Sequence, residues 1–277
     1  MALKDKKICF VGAGNMANAI VGGLVQKGLT ANNIMASAPS EEHLEQIKSN
    51  WGVQTSSDNI AAAKQADIIV LSVKPQILKQ VCESLSSSLA HRPLIISIAA
   101  GIELKSLSEW LGEEQAIVRC MPNTPAQVLK GASGLISNSH VSEEQKELSA
   151  ELFSGIGIVE WLADESQMHS VTALSGSGPA YIFMMIEAME SAAIKQGIKA
   201  ETARKLAAQT VLGAAQMVLS GDVSPAQLKK NVMSPGGTTE RAIQAFEENN
   251  LVGIVDKAMQ AAADRSQELV VLLSDDN

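Results

Sequence analysis

The sequence predicts an α/β protein, with a doubly wound sheet in its N-terminal part and an all-α domain in its C-terminal part. Short apolar runs alternate with helical patterns up to about residue 162, as in doubly wound α/β folds. The run Ile68-Ile69-Val70-Leu71 is apolar at every position, which is typical of a parallel strand buried on both faces. Beyond residue 162 the helical patterns follow one another, and no convincing strand remains.

The elements follow from these patterns and from their stop signals. Strands are predicted over 7–11, 33–37, 67–73, 93–98, 116–121, 134–137 and 156–160. Helices are predicted over 15–27, closed by Gly28, and over 41–50. Further helices are predicted over 179–196, 201–220, from 224 onward, 239–249 and 251–273. Residues 1–163 are therefore expected to form the first domain and residues 164–277 the second.

Composition excludes several classes of protein. The 277 residues are 46% hydrophobic and only 3% aromatic, so a sizeable and mostly aliphatic core is expected. The net charge of −8 argues against a nucleic-acid or anionic-membrane partner, and the apolar runs are too short to span a membrane. No signal peptide is recognised before the first strand, and Cys9 and Cys120 are expected as buried thiols. A cytoplasmic protein without a metal site is expected.

A glycine-rich turn follows the first predicted strand. Gly12-Ala13-Gly14-Asn15-Met16-Ala17 fits the G-x-G-x-x-G/A pattern of dinucleotide-binding turns and lies between a strand and a helix. In that pattern Gly12 permits the tight turn, Gly14 leaves room for the pyrophosphate, and Ala17 packs closely on the sheet. The pyrophosphate then lies at the helix N-terminus. A glycine-rich turn that binds no ligand is the alternative.

The end of the second strand bears on the choice of cofactor. NAD-specific sites usually have an acid there, but this stretch reads Ser37-Ala38-Pro39-Ser40. Ser37 and the helix N-terminus near Ser40 are expected to receive a 2′-phosphate, although no Arg or Lys lies nearby. The prediction is NADPH, with NADH also plausible.

Two further stretches are expected at the same sheet edge. Val73-Lys74-Pro75 ends a strand, and Lys74 is a candidate phosphate or ribose contact; a solvated lysine is the alternative. Ala99-Ala100 ends the next strand and is small enough for a nicotinamide ring to approach.

The C-terminal part contains a candidate anion site. In Ser234-Pro235-Gly236-Gly237-Thr238-Thr239-Glu240 a glycine-rich loop leads into a helix, whose free backbone N–H groups can bind a small carboxylate. The predicted helices around it carry Ala, Met, Leu and Val on all sides. Five helices alone bury so much apolar surface poorly, so a homodimer through this domain is expected.

Five motifs in this order resemble those of the pyrroline-5-carboxylate reductase family over nearly the whole chain. They are Gly-Ala-Gly-Asn-Met-Ala at 12–17, Val-Lys-Pro at 73–75, Met-Pro-Asn-Thr-Pro-Ala at 121–126, Ala-Leu-Ser-Gly-Ser-Gly-Pro-Ala-Tyr at 173–181 and Ser-Pro-Gly-Gly-Thr-Thr at 234–239. The resemblance implies an N-terminal Rossmann domain, a helical dimerisation domain, and intertwined dimers that often assemble into decamers. It also implies hydride transfer from NAD(P)H to the C=N bond of 1-pyrroline-5-carboxylate, which yields L-proline.

The resemblance further implies roles for individual residues. The backbone N–H groups of Gly236, Gly237 and Thr238 would bind the substrate carboxylate, and the catalytic Thr239 hydroxyl would lie near the ring nitrogen. Asn59 matches a cofactor contact. Ser175 and Ser177 match the stretch beside the substrate pocket, which is expected to be completed by the loop of another protomer.

The remaining residues favour imine chemistry independently. All four histidines lie outside the motifs, and the first helix of the second domain has only Lys195, at its far end. An alcohol dehydrogenase needs a base, whereas a cyclic iminium already carries its proton and needs mainly hydride and positioning. Proton supply from Thr239, or from a water held by Asp222, is a hypothesis; a solvated Asp222 is equally compatible with the sequence.

Two other functions stay open at this point. The first is a hydroxy-acid dehydrogenase of related two-domain architecture. The second is a pyridoxal-phosphate or nucleotide-binding homeostasis protein without turnover, which the intact loop at 234–239 disfavours.

Overall fold

A computed structural model describes residues 2–275, and its central feature is one eight-stranded sheet. The strands are β1 (Ile8–Val11), β2 (Ile34–Ser37), β3 (Gln54–Ser56), β4 (Ile68–Leu71), β5 (Leu94–Ser97), β6 (Ile117–Met121), β7 (Gly131–Ser137) and β8 (Gly157–Trp161). Their order is β3-β2-β1-β4-β5-β6-β7-β8. The order reverses between β1 and β4, which is where doubly wound sheets bind their ligands.

Helices connect the strands and then continue alone. The first seven are α1 (Asn15–Gln26), α2 (Glu41–Trp51), α3 (Asn59–Ala63), α4 (Pro75–Ser86), α5 (Leu104–Leu111), α6 (Glu143–Ser154) and α7 (Gln167–Val171). The last five are α8 (Gly178–Lys195), α9 (Ala200–Leu219), α10 (Pro225–Asn231), α11 (Thr238–Glu248) and α12 (Leu251–Asp275). Short 3-10 helices lie at Ala2–Asp5, Ala31–Asn33 and Thr124–Val128, and a π-helical turn lies at Thr172–Gly176. The predicted α/β architecture is confirmed.

The core lies on both faces of the sheet because the central strands are apolar at every position. Phe10 and Val70 point to one face, where Phe153 of α6 packs. Cys9 and Ile69 point to the other face, against α4 and α5. Successive side chains of a strand alternate between the faces, so a strand covered on both sides needs a continuous apolar run.

Two features of the sheet differ from the sequence prediction. β3 is absent from the prediction, because Gln54-Thr55-Ser56 is polar and lies at the sheet edge. The predicted parallel sheet is also mixed, since β6 and β7 pair antiparallel. Only residues 122–130 connect these two strands, and a parallel connection needs a crossover of about a dozen residues or more.

An ion pair between Arg119 and Glu165 joins three parts of the first unit. The Arg119 side chain, in β6, is only 5% exposed, and Glu165 lies just before α7. The same carboxylate oxygen accepts the backbone N–H of Leu104, at the start of α5, at 2.8 Å. The Glu165 side chain is 29% exposed. Removing one partner should therefore cost less than the about 3–5 kcal/mol of a fully buried pair and more than the about 0–1 kcal/mol of an exposed one.

The chain divides into two compact units. The first extends to Ser177 and includes the chain again from Ala262, and the second is Gly178–Ala261. This division differs from the boundary expected after residue 163, because α7 and the end of α12 belong to the first unit. There the ring of His169 bonds to Ser266 at 3.0 Å, and Leu269 and Leu273 lie beside Gly101. Residues 1, 276 and 277 of the expected domains lie outside the described residues.

The second unit is helical throughout, and its helices expose much apolar surface. α8 packs against α9, and Arg204 donates three hydrogen bonds of 3.0–3.2 Å to the Glu190 carboxylate between them. Within the described chain, α8 buries no residue and α9 buries only Ala203 and Ala207. Large apolar side chains of this unit that are more than half exposed include Phe183, Met184, Leu206, Leu212, Leu219 and Val252. Among residues 2–275, no helix has both the length and the apolar character needed to cross a membrane.

Candidate functional site

The turn after β1 is fixed between the ends of its two neighbouring strands. Gly12 has a φ of +105°, and a Cβ there would lie 2.5 Å from the carbonyl oxygen of Ser72. The Gly12 N–H donates to the carbonyl of Ser37 at 2.7 Å, and the Ser72 hydroxyl donates to the carbonyl of Gly12 at 2.8 Å. Only glycine combines this backbone conformation with this close approach.

Gly14, the N-cap of α1, lies beside open space. Its φ of −77° suits any residue, and a Cβ there would meet nothing within 4 Å. In the described chain no side chain caps α1, and its first turn carries neither acid nor base. Free N–H groups at a helix start together with an empty approach form an anion cradle that suits a pyrophosphate. Asn15 and Met16 belong to this first turn, and the buried Ala17 packs under it.

Ser37 is buried rather than presented to solvent. It is 0% exposed, and its hydroxyl donates to the side-chain carbonyl of Asn59, the first residue of α3. The structure therefore gives Ser37 a role in orienting Asn59, which differs from the expected direct contact with a 2′-phosphate. At the start of α2, Ser40 accepts the N–H of His43 at 3.4 Å, and Glu41 and Glu42 occupy the first turn. The negative charges of these two acids repel a phosphate at that helix end.

The other predicted cofactor residues lie at the same carboxyl edge of the sheet. Lys74 is exposed as the N-cap of α4, and Val73 and Pro75 beside it are partly buried. After β5, Ala99 is buried and Ala100 is partly buried. The structure thus brings Gly12–Ala17, Asn59, Val73–Pro75 and Ala99–Ala100 to one edge, as expected for strands that end side by side.

Asn123 ties the turn after β6 to the segment that carries Ser175. This asparagine is 8% exposed; its amide N–H donates to the carbonyl of Ser175 at 3.0 Å, and its side-chain oxygen accepts the N–H of Ala132 at 2.9 Å. Met121 lies against Gly176, where a Cβ would be 2.6 Å from its methyl carbon. No spacing in the sequence indicates the contact of Asn123 with Ser175, because the two residues are 52 positions apart.

Ser175 and Ser177 lie in and after a π-helical turn, and both are partly buried. The Ser175 hydroxyl donates to the carbonyl of Val171 at 3.0 Å, and the Ser177 N–H donates to the carbonyl of Thr172 at 2.8 Å. π-helical turns widen a helix locally and are frequent at functional sites. The Asn123 amide satisfies a carbonyl of this widened turn.

The loop before α11 is a tight turn in the second unit. The N–H of Gly237 donates to the carbonyl of Ser234 at 2.9 Å, and Gly236 has a φ of +72°. Proline at the second position and a glycine of positive φ at the third are the signature of a type II turn. Gly237 is then the N-cap of α11, and in the described chain no side chain caps this helix at Gly237.

Two of the three expected carboxylate donors are already engaged. The Gly236 N–H donates to the carboxylate of Glu240 at 2.7 Å, and the Gly237 N–H closes the turn. The sequence predicts free N–H groups at Gly236 and Gly237, but in the structure both N–H groups have a partner within the chain. Helix geometry leaves the N–H groups of Thr238 and Thr239 without a partner inside α11. The N–H groups available to a carboxylate are therefore those of Thr238 and Thr239, at the start of α11, rather than those of the two glycines.

Other candidate groups are occupied or inert. His169 bonds to Ser266, and Asp222 is an exposed loop residue. Burial raises the pKa of the Cys9 thiol to about 12; burial, with a contribution from Glu83, does the same for Cys82, and burial raises the pKa of Cys120 well above its usual value. All three thiols are free, buried and protonated at neutral pH, so none supplies a nucleophile.

The first unit has the sheet order and the glycine-rich turn of the nicotinamide-dependent oxidoreductases. Residues 7–101 match the family model described as NADP oxidoreductase, coenzyme F420-dependent, and residues 165–269 match that described as pyrroline-5-carboxylate reductase dimerisation. A pyrroline-5-carboxylate reductase of Pseudomonas aeruginosa is 49% identical over 96% of this chain and 98% of the relative. The chain belongs to the pyrroline-5-carboxylate reductase family.

Two solved structures agree with this membership. The pyrroline-5-carboxylate reductase of Coxiella burnetii is 45% identical, with a TM-score of 0.92 over 95% of this chain and 98% of that one. The pyrroline carboxylate reductase of Plasmodium falciparum, solved with NADP bound, is 33% identical, with a TM-score of 0.87 over 96% of this chain and 99% of that one.

Replacing Gly14 by valine tests the cradle at α1. The open space accepts the side chain, so we expect the unfolding temperature to fall by only a few degrees, from the poorer N-cap. The valine blocks the approach of the pyrophosphate and weakens cofactor binding by about a hundredfold. Fluorescence titration with NADPH and thermal unfolding without cofactor measure the two effects. The contrasting variant Gly12→Ala overlaps Ser72 and should lose stability as well. Wild-type affinity in Gly14→Val would contradict the assignment.

Proposed function

We propose that this chain reduces 1-pyrroline-5-carboxylate to L-proline. When bound, a reduced nicotinamide cofactor supplies the hydride that the C=N carbon accepts. The observation that carries the proposal is the turn at 234–237, which leads into α11 and leaves the first two N–H groups of that helix, those of Thr238 and Thr239, without a partner inside the helix. The full-length similarity to named reductases supports the same reaction.

The chain's own residues act by positioning a charged ring. The N–H of Thr238 and the positive end of the α11 dipole bind the substrate carboxylate, with Gly236 and Gly237 shaping the loop below it. The Thr239 hydroxyl faces the ring nitrogen, and another protomer supplies Ser175 and Ser177 to the substrate. Fixing the ring in one orientation supplies much of the rate acceleration that such a reaction needs.

A reaction that needs no general base fits the side chains present. A cyclic iminium enters already protonated, so the product nitrogen keeps its proton after reduction. Hydroxy-acid oxidation needs a base beside the alcohol, but Lys195 is at the last turn of α8 and His169 is hydrogen-bonded to Ser266. We therefore prefer imine reduction over a hydroxy-acid dehydrogenase. The intact loop at 234–239 favours it over a homeostasis protein without turnover.

We further propose NADPH as the preferred cofactor, with NADH also accepted. No acid lies at the end of β2 to bind a ribose 2′-hydroxyl, and Asn59 is oriented by Ser37 beside that position. Glu41 and Glu42 limit the preference, because their charge repels a 2′-phosphate. The preference is therefore expected to be modest.

We propose a homodimer through the second unit, further assembled to a decamer, in the cytoplasm. The exposed apolar side chains of α8 and α9 are too many for a helical unit that stays alone in water. The dimerisation family model covers these helices. Three free buried thiols fit a reducing compartment.

The reaction itself is tested by steady-state kinetics. We expect loss of NADPH absorbance with 1-pyrroline-5-carboxylate and formation of L-proline, with a smaller specificity constant for NADH. Oxidation of 3-hydroxy acids with NAD, without imine reduction, would establish the dehydrogenase alternative. Cofactor binding without turnover of either substrate would establish the homeostasis alternative.

Thr239→Val tests the hydroxyl near the ring nitrogen. Valine keeps the shape of threonine and the backbone N–H but removes the hydroxyl that orients the ring nitrogen, so we expect kcat to fall by about a hundredfold. Thr239→Ser restores a hydroxyl and should recover most of the rate. An unchanged kcat in Thr239→Val removes this residue from the mechanism.

Light scattering tests the assembly. We expect a dimer or a multiple of it at micromolar concentration, and partial dissociation in Leu212→Glu, which places a charge on an apolar surface of α9. The control Gln209→Glu adds the same charge at an exposed polar position of the same helix and should leave the assembly intact. A monomeric wild type would refute the proposed dimer.

A further inference from the structure

We propose that Glu240 is a positioning residue for the substrate loop: its carboxylate locks the turn at 234–237 in the conformation that binds the substrate carboxylate. This inference rests on the proposed function of the loop. It concerns a residue that lies just beyond the Ser-Pro-Gly-Gly-Thr-Thr motif and is partly buried in the first turn of α11.

The contact departs from ordinary helix capping. In a capping box, an acid or amide at the third helical position accepts the N–H of the N-cap residue. Glu240 is at that third position, but the N–H of the N-cap, Gly237, already donates to Ser234 at 2.9 Å. Glu240 instead reaches one residue further back and accepts the N–H of Gly236 at 2.7 Å.

The two hydrogen bonds together fix both glycines. Gly236 has a φ of +72°, and glycine has the most backbone freedom of any residue, so this turn is costly to order. The bond from Gly237 closes the turn, and the charge-assisted bond from Gly236 ties it to α11. The substrate does not need the N–H groups of Gly236 and Gly237. The N–H groups of Thr238 and Thr239, which have no partner inside α11, can bind its carboxylate instead.

The main competing idea assigns Glu240 the opposite effect. Its carboxylate occupies a backbone donor of an anion-binding loop, so it could act as an internal competitor of the substrate. The two ideas predict opposite changes in the KM for the substrate. A positioning residue lowers the KM for the substrate, because the loop is ordered before binding. A competitor raises that KM, because it must leave first.

Three variants of the full-length enzyme separate these ideas. Glu240→Ala removes both the charge and the acceptor, and Glu240→Gln removes the charge but keeps an oxygen that can accept the Gly236 N–H. The matched control is Glu248→Ala, which removes the same side chain from the other end of α11. For each variant, kcat, the KM for 1-pyrroline-5-carboxylate, the KM for NADPH and the unfolding temperature are measured.

We expect Glu240→Ala to raise the KM for 1-pyrroline-5-carboxylate about tenfold, which is the scale of ordering one backbone residue. The KM for NADPH and the kinetics of the Glu248→Ala control should stay at the wild-type values, and Glu240→Gln should recover most of the loss. The unfolding temperature of Glu240→Ala should fall by no more than a few degrees. A lower KM in Glu240→Ala would establish the competitor, and an unchanged KM would remove any role in binding. Either result with an active wild type overturns this inference alone, whereas an inactive wild type overturns the proposed function.

Discussion

The cofactor end of this protein depends on the close contact between Gly12 and the end of β4. The backbone of Gly12 bonds to Ser37 on one side and Ser72 on the other, and no side chain fits between Gly12 and the Ser72 carbonyl. This contact fixes where α1 begins relative to the sheet. The space in front of Gly14 then stays open because the chain has already turned away at Gly12. A cradle that suits an anion follows from backbone geometry alone.

The second unit also has a fixed turn before a helix, but other groups hold this turn in place. In the first unit, neighbouring strands fix the turn before α1; before α11, Pro235 restricts the turn and Glu240 of the helix itself secures it. Each turn ends at the start of a helix whose first N–H groups are available to an anion. The interaction of an anion with a helix end is worth only about 0.3–1 kcal/mol at an exposed site. Useful affinity therefore depends on turns that are ordered in advance.

The sequence was sufficient to predict the elements that have a local pattern of their own. Short, mostly apolar runs located seven strands, and Gly28 marked the end of the first helix. The missed elements have no such pattern: β3 is polar, and the antiparallel pairing of β7 depends on a short connection. The contacts of the candidate site divide in the same way. The motif residues of the sheet edge come together, whereas the contacts of Asn123 with Ser175 and of Ser37 with Asn59 join distant residues, and no spacing in one sequence reveals them.

A reductase that uses positioning rather than acid–base side chains places unusual demands on its backbone. In the proposed reaction the chain offers N–H groups, hydroxyls and a shaped pocket. A displaced peptide group therefore lowers the rate directly, because it misplaces the substrate. The polar side chains that hold backbone groups then become as important as those that touch substrate. Asn123 satisfies a carbonyl of the widened turn that carries Ser175, and Glu240 satisfies an N–H of the turn before Thr239. Both act on glycine-containing segments, where an unheld backbone would be most free to move.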